Sequence, residues 1–314
     1  MRILISGGLG FVGGRVALYL QQAGHQIILG SRKAKCPPDW LPQAEVAQIN
    51  WGDGQALEHS CSGVDVVIQA AGMNAQDCGA DPVAALEFNG LATARLLTSA
   101  VRAGVQRFIY LSTAHVYASP LIGIITEDTC PRNLHPYAAS HFAGENAVLG
   151  AGQCGQIEGI VLRLSNAFGV PVHADVNCWT LLVNDLCRQA VQTRKLVLHT
   201  SGLQQRDFIT LTDVERAVEH LLGLRQADCG DGVFNLGGDN PISVWDMAQK
   251  IASRSQMILG YLPAIERPVP QSGEKVDALN YSSSKLQKTG FVLKGDLDEE
   301  IDRTLLACGQ GWGR

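Results

Sequence analysis

The sequence of 314 residues predicts an α/β fold, a doubly wound parallel sheet carrying a smaller C-terminal cap. Three observations point there. Six short apolar runs of strand length alternate with stretches of helical period, and every parallel crossover needs such a connecting element. A glycine-rich loop joins the first run to the first helix. Hydrophobic residues make up 46% of the chain and charged ones 18%, against a usual charged share of about 25%, so much of the chain must be buried.

The first run, residues 3–6, leads into Gly7-Gly8-Leu9-Gly10-Phe11-Val12-Gly13, and residues 12–23 then repeat with helical period. In a Gly-x-x-Gly-x-x-Gly loop at this place, Gly7 permits the tight turn and Gly10 lets a pyrophosphate approach the backbone. Gly13 lets the helix pack close to the sheet. The N–H groups at the helix start, around Phe11 and Val12, then face the anion. There is no GK[ST] ending, which argues against a nucleotide-triphosphate P-loop.

After the second run, 26–29, comes Gly30-Ser31-Arg32-Lys33, where a fold that prefers NAD places an acidic residue on the adenine ribose. The hydroxyl of Ser31 and the guanidinium of Arg32 attract a 2′-phosphate instead, so NADP(H) is favoured over NAD(H). The third run, 46–49, is followed by Asn50 and Trp51, and the fourth, 64–69, by Ala70, Ala71 and Gly72. These strand-end residues complete the expected dinucleotide lining. Ala85, Phe88, Leu91, Ala92, Leu96 and Ala100 recur on one face of a helix over 82–103. The fifth and sixth runs are 107–111 and 160–164.

Beyond about residue 165 the rhythm changes. A helix over 176–191, a short strand near Val197, a helix from about Thr212 and a last helix over 296–306 are expected, with irregular chain at Pro263, Pro268 and Pro270. The expected division is a dinucleotide-binding part over 1–165, to which segments near 205–240 return, and a substrate-binding cap of 166–204 and 241–314.

Lys and Arg number 25 against 30 Asp and Glu, a formal net charge of −5 with no basic block, so neither nucleic acid nor an anionic membrane is an expected partner. The nine cysteines form no CxxC pair and no Cys/His cluster of zinc spacing, and no metal is expected. Their odd number, and a start MRILISGGLGFVGG that is neither secretory leader nor membrane span, point to the cytoplasm.

Several further motifs follow in fixed order: Asp81-Pro82, Asn89, Ser112-Thr113, Tyr137-Ala138-Ala139-Ser140-His141, Leu162-Arg163-Leu164-Ser165-Asn166-Ala167-Phe168-Gly169, Arg206-Asp207-Phe208 with Asp213, and Phe234-Asn235-Leu236-Gly237-Gly238. With the glycine loop and Ala70-Ala71-Gly72, this series resembles the extended short-chain dehydrogenase/reductase family of nucleotide-sugar epimerases and dehydratases, over nearly the whole chain. The resemblance implies a Rossmann sheet and catalytic roles for Thr113, Tyr137 and residue 141. Thr113 and the Tyr137 hydroxyl would hold the substrate oxygen while nicotinamide exchanges hydride with the carbon bearing it. Asn166 and Arg206 match positions that contact the nucleotide diphosphate of the substrate; the alternative for Arg206 is a salt bridge to Asp207 or Asp213. Segment 170–179 and the cap loops are expected around the sugar. A homodimer through the two helices flanking the fifth strand is implied as well.

Two departures from the family pattern matter. His141 stands where the pattern Tyr-x-x-x-Lys has its lysine, one helical turn from Tyr137. The lysine binds the nicotinamide ribose and lowers the Tyr pKa; a histidine, mostly uncharged near neutral pH, can still donate to ribose but leaves Tyr137 a firmer phenol. That suits carbonyl reduction better than alcohol oxidation. Ala114 and His115 replace the acid pair that the dehydratases carry after Thr, which disfavours 4,6-dehydration. His115 reads either as a general base or as a hydrogen-bonded structural residue. The readings left are an NADPH-dependent reductase of a nucleotide-linked 4-keto sugar, a nucleotide-sugar 4-epimerase, and a dinucleotide-binding protein with weak or lost catalysis.

Overall fold

Ile3, Leu4 and Ile5 are successive residues and all fully buried, so the first strand has apolar cover on both faces, as central strands of a parallel sheet do. The computed structural model describes residues 1–33 and 36–313. Its sheet comprises Arg2–Ser6 (β1), Gln26–Ser31 (β2), Glu45–Gln48 (β3), Val66–Gln69 (β4), Arg107–Thr113 (β5), Glu158–Leu164 (β6) and Val233–Leu236 (β7). All pairings are parallel, in the order β7-β6-β5-β4-β1-β2-β3. Ile3 stands opposite Ile27 on one side and Val66 on the other. The strand order therefore reverses at β1, and the crevice beyond the carboxyl ends of β1 and β4 is where such a sheet takes a ligand.

Helices Phe11–Gln22 (α1), Ala92–Arg102 (α2), Pro136–Gln153 (α3), Leu182–Thr193 (α4), Leu211–Gly223 (α5), Val244–Leu259 (α6) and Leu297–Gly309 (α7) supply the remaining layers. On one face, Val16, Ala17 and Leu20 of α1 and Val214, Val218 and Leu221 of α5 cover Ile3, Ile5, Leu29 and Ile109. On the other, Leu96 and Ala100 of α2 and Val148 of α3 cover Leu4, Val67, Phe108 and Tyr110. A separate apolar cluster joins α4, α6 and α7 through Leu186, Met247, Ile251, Ile301 and Leu305. Each such Leu or Ile contributes about 1.5–3 kcal/mol by leaving water. Thr210, Ser243 and Asp296 start α5, α6 and α7 by accepting backbone N–H groups of the first turn.

Some elements differ from expectation. The helix over 82–103 is broken: Pro82–Ala85 is α-helical, Leu86–Leu91 is a π-helical turn, and only then does α2 begin. The helix expected over 176–191 starts at Leu182, because the preceding residues form a turn in which the Leu181 N–H donates to the Cys178 carbonyl. The seventh strand, β7, lies within the segment expected to return to the sheet. Helix α6 was not among the expected elements, although Val244, Met247, Ala248, Ile251 and Ala252 recur on one helical face.

Candidate active site

The glycine loop closes as its spacing requires. Gly7 has φ +69°, and a Cβ there would stand 2.7 Å from the Ala71 nitrogen; a Cβ on Gly13 would stand 2.3 Å from the Gly7 carbonyl oxygen. Gly10 caps α1 with no side chain, and no acidic residue occupies the first turn, so the N–H groups there stay open to an anion. Beyond them lies a cleft of about 1010 Å³ walled by Gly7, Gly10, Phe11, Val12, Gly13, Ser31, Arg32, Trp51, Ala70, Ala71 and Gly72. Ser31 is buried and accepts the Lys33 N–H, while Arg32 is exposed at the rim. The Trp51 Nε1 is buried with no hydrogen-bond partner among the described residues. A backbone cradle with no room for side chains, an uncapped helix start and an unsatisfied donor together fit a dinucleotide. Asn50 departs from expectation: it is exposed, accepts the Gly52 N–H at 3.2 Å, and does not line the cleft.

A second cavity of about 210 Å³ adjoins the cleft, sharing Phe11 and Val12 with it, and holds Thr113, His115, Tyr137 and Asn166 in its wall. Thr113 ends β5, and its hydroxyl oxygen accepts the His115 N–H at 3.2 Å. Tyr137 sits in the first turn of α3, where Pro136 suits the helix start and His135 Nδ1 accepts the Tyr137 N–H at 3.2 Å. Burial pushes the Tyr137 phenol above its usual 10, and the Thr113 hydroxyl beside it works the other way. The ring of His141 lies 4.6 Å from that of Tyr137, centroid to centroid. Burial lowers His141 to about 4, so the imidazole next to the phenol is neutral. It is not part of the cleft wall as such, but a Cβ on the lining residue Gly72 would stand 3.6 Å from its Nε2.

Asn89 does more than its place in the motif disclosed. Its Oδ1 accepts the Met73 N–H at 2.7 Å and its Nδ2 donates to Ser140 Oγ at 3.0 Å, while Ser140 donates to the Tyr137 carbonyl at 3.1 Å. It thereby ties the loop after β4 to the first turn of α3. The π turn around it admits an extra residue that the helical spacing alone could not reveal.

On the substrate side, Asn166 Nδ2 donates to the Asp207 carbonyl at 2.7 Å. Arg206 is exposed and forms no ion pair among the described residues. Asp213 is engaged by Arg216 at 3.1 Å and by the Lys294 and Gly295 N–H groups, and Asp207 accepts the Gly238 N–H at 2.9 Å, so the salt-bridge alternative for Arg206 fails. Arg206 does not line the smaller cavity; it is near enough to help lower His115, whose depression comes first from burial. Burial raises Asp207 to about 6. Segment 170–179 also departs from expectation: Leu181, Leu182 and Val183 wall the smaller cavity, and Asn177 belongs to the larger cleft.

A parallel sheet reversing over a glycine loop, with Tyr137 in the wall of the adjoining cavity, defines a Rossmann-type fold whose cleft fits a dinucleotide. The chain matches the model of the NAD dependent epimerase/dehydratase family over residues 3–237 and belongs to that family. It is 25% identical over 277 residues to dTDP-D-glucose 4,6-dehydratase of Dictyostelium discoideum, covering 81% of this chain and 62% of that protein. It is 30% identical over 224 residues to dTDP-6-deoxy-L-talose 4-dehydrogenase (NAD(P)(+)) of Kitasatospora kifunensis, covering 69% and 68%. The solved structure of Thermus thermophilus UDP-glucose 4-epimerase in complex with NAD shares the fold at a TM-score of 0.81 and 22% identity, over 98% of this chain and 99% of that one. No helix among the described residues is long and apolar enough to cross a membrane.

Proposed function

We propose that the chain is an NADP(H)-dependent reductase of the C4 keto group of a nucleotide-linked sugar. The observation that carries this reading is the neutral His141 beside a raised Tyr137. Without a cation one turn away, the phenol keeps its proton at neutral pH, ready for the oxygen of a carbonyl being reduced. When bound, the reduced nicotinamide supplies the hydride. The substrate carbonyl becomes a secondary alcohol, hydride at carbon and the Tyr137 proton at oxygen, while the Thr113 hydroxyl polarises the bond. His141 donates to the nicotinamide ribose. Ser31 and Arg32 hold the 2′-phosphate of the dinucleotide, and Arg206 with Asn166 grips the substrate diphosphate, a task suited to a permanently charged fork of donors. The talose 4-dehydrogenase relative, whose name carries NAD(P)(+), supports the same chemistry at C4.

In this reading residues 1–165, with the returning segments near 205–240, bind the dinucleotide, and 166–204 with 241–314 form the cap. The protein acts in the cytoplasm as a homodimer paired through α2 and α3, the helices flanking β5. A 4-epimerase is the second reading, favoured by His115, a neutral base candidate whose ring lies 6.5 Å from that of Tyr137 in the same cavity.

The test is a pH–rate profile in both directions with NADPH or NADP and a panel of nucleotide 4-keto sugars and their alcohols. Reduction should hold through neutral pH and decline only as Tyr137 ionises. Tyr137→Phe should lose about 10²–10⁴-fold in rate while keeping dinucleotide affinity. His141→Lys should lower the Tyr pKa and speed oxidation relative to reduction at high pH. Retained NAD and rapid C4 inversion would favour the epimerase. A bound dinucleotide with no hydride transfer in either direction would leave only binding without catalysis.

A further inference from the structure

His141 has a partner on its buried side that the reaction above does not use. Its Nδ1 lies 2.9 Å from the hydroxyl of Tyr110, on β5 and 31 residues earlier, with the two rings stacked at 5.9 Å and 23°. We infer that Tyr110 is a positioning residue that holds His141 in the tautomer protonated at Nε2, so that a neutral imidazole presents a donor to the dinucleotide cleft. The inference rests on reading that cleft as a dinucleotide site.

A neutral imidazole has one donor and one acceptor nitrogen, and the partner of the first decides which is which. Tyr110 is 1% exposed, and burial pushes its phenol well above the usual 10, so it keeps a proton to donate. The Thr93 hydroxyl lies near the Tyr110 oxygen and works against that rise. Thr93 Oγ1 itself accepts from Gln69 Nε2 at 3.1 Å, and Gln69 Oε1 accepts from the Ser6 hydroxyl. A buried run of polar groups thus leads from Ser6 below the glycine loop through Gln69 and Thr93 toward Tyr110, whose proton goes to His141 Nδ1. Gly144 on α3 leaves the room this requires, since a Cβ there would stand 2.9 Å from the Tyr110 oxygen. The opposite edge of the imidazole, Cε1 and Nε2, faces Gly72, which lines the cleft. A lysine ammonium carries three donors and needs no such setting; the histidine does, and Tyr110 supplies it.

Nitrogen NMR of protein carrying ¹⁵N-histidine, recorded without cofactor, reads the tautomer directly. His141 should show an unprotonated Nδ1 and a protonated Nε2 from pH 6 to 8. Tyr110→Phe should mix the tautomers and weaken NADPH binding about 2- to 12-fold, the loss of one net hydrogen bond. In the His141→Lys background the same Tyr110→Phe change should leave NADPH affinity unaltered, which a purely structural defect would not. A wild-type proton on Nδ1, an unchanged tautomer in Tyr110→Phe, or an equal affinity loss in the lysine background would overturn the inference. Should Tyr110→Phe fail to fold, the wild-type tautomer decides alone. Wild-type protein that binds no dinucleotide would sink the functional reading while the nitrogen spectrum still judged the tautomer.

Discussion

His141 trades a permanent charge for a polarity that its neighbours must arrange, and its burial has a cost in acid. Its pKa of about 4 in the folded protein lies below the unfolded value of about 6.5, so the fold disfavours the protonated form. Its contribution is undiminished above pH 6.5, falls as the pH drops toward 4, and is lost below that, a span of about 3 kcal/mol. Asp207 runs the other way: raised to about 6, it burdens the fold most above pH 6 and less as acid protonates it. Comparing urea unfolding of wild type and His141→Gln between pH 7 and pH 4.5 isolates the first effect. The wild type should lose about 2–3 kcal/mol more than the variant over that interval; parallel curves would mean His141 titrates normally. At the rim of the cleft, Arg32→Ala should weaken NADPH binding by about 1.5–3 kcal/mol and leave NADH nearly untouched. Calorimetric titration with both dinucleotides checks this, and equal weakening would remove Arg32 from the 2′-phosphate.

Local order made some elements readable from sequence. The β1–loop–α1 unit announced itself because a tight turn, a close helix approach and a change of period all leave marks within a dozen residues. Gly13→Ala tests that unit: with 2.3 Å between the new Cβ and the Gly7 oxygen, the loop must move, costing about 1–3 kcal/mol of stability. Thermal melts should shift downward and dinucleotide affinity should collapse, whereas an unperturbed affinity would show that the loop adapts freely. The π turn at Leu86–Leu91 left no such mark, because an inserted residue alters phase and not composition. The start of α4 was misjudged since Leu181 offers no capping side chain, and a turn at 178–181 repeats apolar residues much as a helix does. Thr113 and Tyr137 were legible from their motif. Tyr110 was not, because a tyrosine inside an apolar strand reads as core until its 31-residue separation from His141 is closed in space.

Across the whole molecule, Arg15 of α1 holds distant parts together. It pairs with Glu215 of α5 at 3.1 Å and with Glu300 of α7 at 2.8 Å, and donates to the Val170 carbonyl at 3.0 Å. Its two carboxylate partners are buried with it. Arg15→Ala would leave them facing one another without a cation, a loss of about 3–5 kcal/mol, visible as a lower urea midpoint. Replacing both carboxylates as well, Glu215→Gln with Glu300→Gln, should recover much of it; no recovery would mean that Arg15 acts by packing alone. No sequence pattern foretold this junction, since its members lie 200 and 285 residues apart. That separation also sets a clock. At a translation speed of about 5–20 residues per second, Arg15 is joined to the chain roughly 15–60 seconds before Glu300 is made. For the first 200 residues of that interval the nascent first helix carries a cation with neither counter-charge yet made, and from Glu215 to Glu300 it has only one, so the seam it closes can be completed only after residue 300 is made.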